Sequence, residues 1–262
     1  MNDVKIIGPC SAEEDNFMSI CDHLVGILGF DFIFKGSFDK ANRTSVHGGR
    51  GEGLERSLDL FREVKRKYPK LNLTTDVHEV WQVEKISDCI DVVQIPAFLC
   101  KQTDLLVESA RHFDVVNIKK GQWLGPEILI KMVDKVKSVN PDVQVWITDR
   151  GSNFGYDKLI TDVSIVDELK TVYDKVILDC THSTQRSRKV YGSQGDPSLA
   201  ERHVVGSVVY NYDGMFVETH PDPQNSPSDG ECMIHLDDIG SVLEYRSKVK
   251  TIIDGAKNNG RL

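Results

Sequence analysis

The sequence predicts a (β/α)8 barrel, because eight short apolar segments alternate with helical patterns along its 262 residues. Strict alternation of strands and helices gives a parallel sheet with right-handed crossovers, and roughly 250 residues is the usual size of a closed barrel. No linker or low-complexity stretch divides the sequence. We therefore expect residues 1–262 to form one domain.

The predicted strands are apolar runs, many of them rich in β-branched residues, as is typical of strands buried on both faces of a parallel sheet. Eight of them in a chain of this length favour closure into a barrel over an open sheet. In chain order they are residues 4–7, 30–34, 71–75, 92–95, 115–118, 143–148, 175–178 and 214–217.

The predicted helices carry apolar residues three and four positions apart, which places those residues on one face. Phe17, Ile20 and Leu24 have this spacing in the first helix, and Pro126 stands at a favourable first helical position. In chain order the helices are residues 13–28, 53–68, 82–90, 104–111, 126–139, 164–171, 199–210 and 237–256.

The composition and net charge of the chain indicate which kinds of binding partner to expect. Apolar residues make up 40% of the chain and charged residues 27%, which is ordinary for a globular protein. A net charge of −8 argues against nucleic-acid or membrane binding, which favours a basic face. The six cysteines lack a tight repeated spacing, and no apolar signal region or long apolar run is present. These features predict a cytoplasmic protein with reduced thiols.

Five cations lie at predicted strand ends or in the following loops: Lys35, Lys40, Arg43, Lys119 and Arg150. The carboxyl ends of barrel strands share one rim, so these side chains are expected around one pocket. A single lysine in a loop is more often a solvated surface charge. Lys35 and Lys119 differ because each directly follows an apolar run, where a buried charge needs an anionic partner. The cluster predicts phosphorylated substrates.

Asn42, Asp76 and Gln94 lie among these cations in the sequence, and their polar groups could hold sugar hydroxyls. Two plainer interpretations are equally compatible with the spacing. Gln94 could be a hydrogen-bonded core residue, and Asp76 could cap a helix.

Four further residues carry groups that bind divalent metals: Cys10, His182, Glu218 and Asp229. A thiolate, an imidazole and two carboxylates suit Zn²⁺, Fe²⁺ or Mn²⁺. The first three fall on the first, seventh and eighth predicted strands, which are neighbours in a closed barrel. Taken singly, Cys10 could be a small buried apolar residue and His182 a hydrogen-bonded loop residue.

Six segments resemble the 3-deoxy-D-manno-octulosonate 8-phosphate synthases and cover nearly the whole chain in the same order. They are Lys35-Gly-Ser-Phe-Asp-Lys-Ala-Asn-Arg-Thr-Ser, Thr75-Asp-Val-His-Glu, Gln94-Ile-Pro-Ala-Phe-Leu-Cys-Lys-Gln-Thr-Asp, Asn117-Ile-Lys-Lys-Gly-Gln, Asp149-Arg-Gly-Ser-Asn-Phe-Gly-Tyr and Glu218-Thr-His-Pro-Asp-Pro.

The resemblance implies a transferase that condenses phosphoenolpyruvate with D-arabinose 5-phosphate and water and releases phosphate, for lipopolysaccharide synthesis. It implies a (β/α)8 barrel that forms a homotetramer. Cys10 after Gly-Pro, and Asp229 in Ser-Asp-Gly, are similar to the metal-dependent branch of the family.

The resemblance also implies roles for individual residues. Lys40, Lys119 and Arg150 would bind phosphoenolpyruvate, while Arg43 and Thr44 would complete the site of a neighbouring subunit. The implied catalytic residues are Lys35, Lys40, Asn42, Asp76, Lys119, Arg150 and His182. The implied substrate-binding residues are Arg43, Thr44, Gln94, Pro96, Ala97, Phe98 and Lys101. The implied metal ligands are Cys10, His182, Glu218 and Asp229.

The chain departs from the family at Lys101, where an arginine is usual, at Gly48 and Gly49, and in the loop 193–197. Two rival functions remain. One is the sister enzyme that condenses phosphoenolpyruvate with erythrose 4-phosphate, 3-deoxy-D-arabino-heptulosonate 7-phosphate synthase, although that family has Lys-Pro-Arg-Thr where this chain has Lys40-Ala-Asn-Arg-Thr. The other is a non-catalytic phosphosugar-binding barrel.

Overall fold

The computed structural model describes residues 3–41, 50–155, 158–186 and 195–261. Within these ranges the strands are β1 (Val4–Gly8), β2 (Ile33–Lys35), β3 (Asn72–Asp76), β4 (Val92–Ile95), β5 (Val115–Lys119), β6 (Gln144–Asp149), β7 (Ser152–Phe154), β8 (Lys158–Ile160), β9 (Lys175–Asp179), β10 (Gly214–His220) and β11 (Ile234–His235). The helices are α1 (Phe17–Leu28), α2 (Leu54–Lys67), α3 (Val80–Ile86), α4 (Thr103–His112), α5 (Pro126–Lys137), α6 (Val166–Leu169), α7 (Pro197–Val209) and α8 (Ile239–Asn258).

Eight of the strands form a closed parallel barrel, which confirms the predicted fold class. Strands β1 to β6 pair in chain order, β6 pairs with β9, and β9 pairs with β10. The sheet closes because β10 also pairs with β1, with Gly8 opposite Glu218. All these pairings are parallel, so the carboxyl ends of the eight strands lie on one rim.

The barrel strands are buried on both faces. Inside the barrel, side chains from successive strands form a compact apolar layer that includes Ile6, Trp146 and Phe216. Outside it, a larger apolar core packs the strands against the surrounding helices. The apolar layer fills the barrel interior toward the amino ends of the strands. The inward-facing positions nearer the carboxyl ends are polar. This change from apolar to polar side chains marks the mouth of the barrel.

Several predicted boundaries were wrong by a few residues. The second strand begins at Ile33 rather than at residue 30, because Gly29, with φ of 61°, ends α1 and leaves Phe30 45% exposed. Helix α6 has only four residues, since a 3-10 turn, Val163–Ile165, occupies the start of the predicted segment. Helix α7 begins at Pro197, where the Asp196 side chain accepts a hydrogen bond from Leu199 N at 3.0 Å.

Two small elements were not predicted. Strands β7 and β8 form an antiparallel hairpin after β6, and β11 adds a two-residue parallel pairing beside β10. Both are too short to show a hydrophobic period in the sequence. The expectation that residues 1–262 form one domain stays a prediction.

Among the described residues, no helix combines the length and the apolar character that crossing a membrane requires. All six cysteines are free and buried.

A buried ion pair joins the start of the chain to its last helix. Arg246, which is 2% exposed, donates to both carboxylate oxygens of Asp3, at 2.6 and 2.7 Å, and to Ser207 Oγ at 3.0 Å. We expect Arg246→Met to lower the free energy of unfolding by about 2 kcal/mol, because it removes two charge-assisted hydrogen bonds and leaves Asp3 only the longer contact with Lys5, at 3.9 Å. Urea denaturation measures the change.

The control is Lys248→Met in the same helix. Lys248 pairs with Glu244, and both side chains are more than 60% exposed. Its loss should cost less than about 0.5 kcal/mol. Equal effects of the two substitutions would contradict a structural role for the Arg246 pair.

Candidate active site at the carboxyl rim of the barrel

Polar residues end most of the barrel strands and converge at the mouth. Lys35 ends β2, Asp76 ends β3, Lys119 ends β5, Asp149 ends β6 and Asp179 ends β9. Their side chains are buried or nearly so. Charged groups removed from water need partners, and the contacts below supply them.

Three of the four proposed metal ligands lie together. One ligand atom from each of Cys10, Glu218 and Asp229 falls within 4.8 Å of the others. His182 Nε2 faces the same group, 3.5 Å from Glu218 Oε2 and 4.0 Å from Asp229 Oδ2. The structure therefore brings together all four residues that the sequence proposed.

The protonation of this group fits a site for a divalent cation. Burial, and then the charge of Glu218, raise the pKa of the Cys10 thiol well above its ordinary value. The neutral thiol donates to Asp229 Oδ2 at 3.3 Å. Glu218 Oε2 is buried without a hydrogen-bond partner among the described residues. A cation would replace the thiol proton and coordinate the unpartnered oxygen.

Asp229 has a left-handed backbone conformation, and hydrogen bonds hold its side chain in place. Its φ of 55° lies in the left-handed region, which aspartate adopts more readily than most residues. Its carboxylate accepts from Ser228 Oγ at 2.6 Å and from Gln185 Nε2 at 2.7 Å, besides the Cys10 thiol. These contacts fix the carboxylate beside Glu218 and His182.

Asp179 orients His182 and was not predicted. Its carboxylate lies 2.9 Å from His182 Nδ1 and accepts the backbone N–H groups of Thr181 and His182. Lys119 Nζ also donates to it. Burial alone would raise the pKa of Asp179, but His182 and Lys119 hold it well below its ordinary value. When ionised, a carboxylate can only accept hydrogen bonds, so His182 donates to it from Nδ1 and turns Nε2 toward the proposed metal ligands.

The two strand-end lysines have acidic partners, as their burial required. Lys35 Nζ is 2.6 Å from Glu218 Oε1 and 2.9 Å from the carbonyl oxygen of Cys10. Lys119 pairs with Asp179 and lies 3.2 Å from the ring centroid of Phe216. Burial lowers the pKa of Lys119, and Asp179 only partly offsets it.

Lys40 and Arg150 make no ion pair with the described residues. Lys40 Nζ donates to the carbonyl oxygen of Cys10 at 2.6 Å and to Ser37 Oγ at 3.1 Å. Arg150 Nη2 donates to Gln185 Oε1 at 2.5 Å, and Gln185 in turn donates to Asp229. The nearby acidic groups of Cys10, Glu218, Asp76 and Asp229 outweigh burial and raise the pKa of Lys40 well above its ordinary value, so its ammonium group stays charged.

Asp76 and Gln94 lie side by side on β3 and β4. Asp76 accepts hydrogen bonds from Ser37 Oγ and Gln94 Nε2. Burial alone would raise its pKa, but Lys35 and Lys40 hold the pKa of Asp76 well below its ordinary value. Asp76 is not a helix cap, because Glu79 is the N-cap of α3. Gln94 is a hydrogen-bonded buried residue, and it also reaches the mouth.

The remaining predicted substrate-binding residues follow β4 or lie outside the description. Pro96 and the buried Ala97 continue directly from that strand. Phe98 is 54% exposed and packs on Trp123 with centroids 5.4 Å apart, while Lys101 is exposed farther along. Of the residues that the sequence analysis singled out, seven lie outside the described ranges: Asn42, Arg43, Thr44, Gly48, Gly49, Ser193 and Gln194.

Sequence reasoning missed Asp179, Asp149, Gln185 and Ser37. The two aspartates directly follow predicted strands, as Lys119 does, so the same rule could have found them. Gln185 and Ser37 occupy the long loops after strands, and no local pattern distinguishes them from their neighbours.

The fold and site define a class: a (β/α)8 barrel whose carboxyl rim collects buried cations beside a group suited to a divalent metal. The sequence model of the DAHP synthetase I family matches residues 2–254 of this chain.

Curated relatives are similar over nearly the whole chain. "2-dehydro-3-deoxyphosphooctonate aldolase" of Chelativorans sp. is 42% identical, over 91% of this chain and 88% of the relative. The protein of the same name in Bartonella bacilliformis is 40% identical, over 91% and 86%. That in Fusobacterium nucleatum is 36% identical, over 96% and 92%. The chain therefore belongs to the DAHP synthetase I family and, within it, to the 2-dehydro-3-deoxyphosphooctonate aldolases.

A second buried ion pair fixes the start of the loop that carries Arg150. Lys120 Nζ, fully buried, lies 3.3 Å from Asp149 Oδ1 and donates to the carbonyl oxygen of Gly151 at 2.8 Å. Tyr212 donates its hydroxyl to Asp149 at 3.0 Å. We expect Lys120→Met to lower the free energy of unfolding by about 3 kcal/mol, because Asp149 would keep a buried, uncompensated charge.

Thermal or urea unfolding measures this loss. The matched control is Lys131→Met, since Lys131 is exposed and pairs with Asp134 only at 3.8 Å. That substitution should change stability by less than about 0.5 kcal/mol. An unchanged stability for Lys120→Met would show that Asp149 does not depend on this lysine.

Proposed function

We propose that this protein condenses phosphoenolpyruvate with D-arabinose 5-phosphate and water to give 3-deoxy-D-manno-octulosonate 8-phosphate and phosphate. The observation that carries the proposal is the convergence of Lys35, Lys40, Lys119 and Arg150 beside the Cys10, Glu218 and Asp229 group at one rim. The relatives that align over most of their length are named 2-dehydro-3-deoxyphosphooctonate aldolase, which supports the same reaction.

The reaction forms one carbon–carbon bond and one carbon–oxygen bond, the latter to water, and breaks the carbon–oxygen bond to phosphate. Carbon 3 of the enol phosphate attacks the sugar aldehyde, whose oxygen takes up a proton. Water adds its oxygen to carbon 2 and gives up a proton. The resulting hemiketal phosphate then loses phosphate from carbon 2, while its hydroxyl gives up its proton to the departing phosphate and becomes the ketone oxygen. Charge on the phosphate and carboxylate must be stabilised throughout.

The cations of the mouth supply that stabilisation. Lys40 and Arg150, which form no direct ion pair with the described residues, would bind the anionic groups of phosphoenolpyruvate, and Lys119 would join them. Fixed charges in a buried site lower the barrier by several kcal/mol because they need no reorganisation.

Asp76 is suited to accepting hydrogen bonds rather than to giving a proton, since neighbouring lysines keep its pKa low. It would orient a sugar hydroxyl together with Gln94.

We further propose that Cys10, His182, Glu218 and Asp229 hold a divalent cation, Zn²⁺, Fe²⁺ or Mn²⁺. Bound there, such an ion would orient water or polarise the aldehyde. The buried, unpartnered Glu218 Oε2 and the oriented His182 support this assignment.

The assembly and location also remain proposals. By resemblance to the family, the chain forms a homotetramer in which Arg43 and Thr44 complete a neighbouring sugar-phosphate site. Six free, buried cysteines are compatible with a reducing cytoplasm. Lipopolysaccharide synthesis would consume the product.

The rival reaction with erythrose 4-phosphate is not favoured. The matching family carries the name of the rival synthase, whereas the individual relatives, at 40–42% identity over most of the chain, carry the octonate name. The hypothesis of a non-catalytic phosphosugar-binding barrel is also not favoured. Binding alone does not explain why residues suited to coordinating a metal lie beside the cations.

Phosphate release with alternative sugars tests the reaction. The purified protein is incubated with phosphoenolpyruvate and either D-arabinose 5-phosphate or D-erythrose 4-phosphate. We expect the five-carbon sugar to react roughly tenfold faster or more, because the mouth offers hydrogen-bonding groups matched to it. Lys119→Met should lower the rate about a hundredfold, since it removes a stabilising charge.

The control for that variant is Lys131→Met, an exposed lysine on α5 whose loss should leave the rate unchanged. Faster phosphate release with erythrose 4-phosphate would favour the rival. Binding of phosphoenolpyruvate without phosphate release from either sugar would favour a binding protein.

Metal content tests the proposed cation site. Cys10→Ser should weaken retention of Zn²⁺ or Mn²⁺ during dialysis by roughly tenfold or more, because a thiolate ligand is lost. Turnover should fall in parallel. Mass spectrometry of bound metal gives a readout that does not depend on activity.

Cys21→Ser is the matched control, since Cys21 is equally buried but belongs to α1. It should retain the metal of the unmodified protein. Undiminished turnover of the chelator-treated, metal-free protein would refute the requirement for a cation.

A further inference from the structure

An unbroken row of hydrogen bonds crosses the barrel mouth from β6 to β3. Thr148 Oγ1 donates to Asn117 Oδ1 at 2.7 Å, and Asn117 Nδ2 donates to Gln94 Oε1 at 3.1 Å. Gln94 Nε2 then donates to Asp76. Thr148 and Asn117 are fully buried and Gln94 is 2% exposed. At this burial, any unmade hydrogen bond in the row is costly.

A second arm reaches Asp76 from the other side. Lys40 Nζ donates to Ser37 Oγ at 3.1 Å, and Ser37 Oγ donates to Asp76 Oδ2. The Asp76 carboxylate therefore receives hydrogen bonds from both directions. Residues on β3, β4, β5 and β6 and in the loop after β2 are joined in one network.

The chemistry of each group fixes the direction of every bond. An ionised carboxylate can only accept, so Gln94 must present its NH₂ group to Asp76. Its carbonyl oxygen then faces Asn117, which must present its own NH₂ group. The Asn117 oxygen is left facing Thr148, whose hydroxyl donates. Asp76 thus sets which end of the Gln94 amide faces it, and Asn117 and Thr148 hold the amide in that position from the other side.

We propose that Asn117 and Thr148 are positioning residues for the acceptor sugar, which act by holding the Gln94 amide with its nitrogen beside Asp76. This inference rests on the proposed function, in which Asp76 and Gln94 bind the sugar. Nothing in the reaction itself requires either residue to touch a reacting atom.

The held amide gives the sugar site a defined polarity. One N–H of Gln94 is used by Asp76, and the second can donate to a sugar oxygen. A hydroxyl placed there finds one donor, Gln94, and one acceptor, Asp76. If the amide reversed, its oxygen would stand beside the carboxylate, and two acceptors would face the hydroxyl. The row of hydrogen bonds therefore favours one arrangement of sugar hydroxyls over its epimer.

Thr148→Val breaks the row while keeping nearly the same volume. It removes the donor to Asn117 Oδ1, so Asn117 loses one of the two contacts that fix it and no longer holds Gln94 firmly in place. We expect the KM for D-arabinose 5-phosphate to rise about tenfold, the equivalent of one buried hydrogen bond, with the KM for phosphoenolpyruvate unchanged. Thr148→Ser keeps the hydroxyl and should restore the original KM.

Asn117→Leu is the second variant, and it breaks the row one bond closer to Gln94. It should raise the sugar KM at least as much, again without affecting phosphoenolpyruvate. The melting temperature of each variant establishes that it is folded. If Thr148→Val does not fold, the same division between the two KM values in Asn117→Leu decides the matter.

The choice between epimers provides a readout that a merely structural role would not change. D-ribose 5-phosphate differs from D-arabinose 5-phosphate only at carbon 2. The preference for arabinose should fall about tenfold in Thr148→Val and return in Thr148→Ser. A sugar KM and an epimer preference that match the unmodified protein would overturn the inference.

Two other results have distinct meanings. If both KM values rise together and serine gives no rescue, the residues only support the fold, and the inference fails. If the unmodified protein releases no phosphate with D-arabinose 5-phosphate, the proposed function fails first. The assay of the unmodified protein therefore separates the two failures.

Discussion

Charge removed from water must be met by opposite charge or by hydrogen bonds, and the arrangement of this barrel mouth follows from that requirement. Lys35, Lys119 and Lys120 each lie against a buried carboxylate, those of Glu218, Asp179 and Asp149 respectively. An apolar core would be at least as stable. The buried pairs instead keep charged groups in position at the carboxyl ends of the barrel strands.

These pairs also link the two halves of the proposed site. An anion that binds Lys35 or Lys119 competes with Glu218 or Asp179 for the ammonium group. A carboxylate that loses its lysine becomes a better ligand for a cation. In the proposed function, phosphoenolpyruvate and a divalent metal would therefore favour each other's binding, and Gln185, between Arg150 and Asp229, provides a direct contact between their sites.

Closure of the barrel between β1 and β10 makes this arrangement possible. The pairing sets Gly8 opposite Glu218 and brings Cys10, two residues later, to the same group. On its other side β1 lies against β2, and a Cβ atom at Gly8 would overlap the carbonyl oxygen of Lys35. Glycine at this position therefore allows the close approach of the strands that carry Cys10 and Lys35.

The sequence by itself determined the eight strands, their order and the rim that carries the cations, because hydrophobic period and strand ends are local properties. It also indicated that buried Lys35 and Lys119 needed anionic partners. Only the tertiary structure decided which acids: Glu218 is 183 residues from Lys35, and Asp179 is 60 residues from Lys119. The row from Thr148 to Asp76 likewise depends on the register of four strands. Register and stagger arise when the sheet closes and packs, and no short stretch of sequence encodes them.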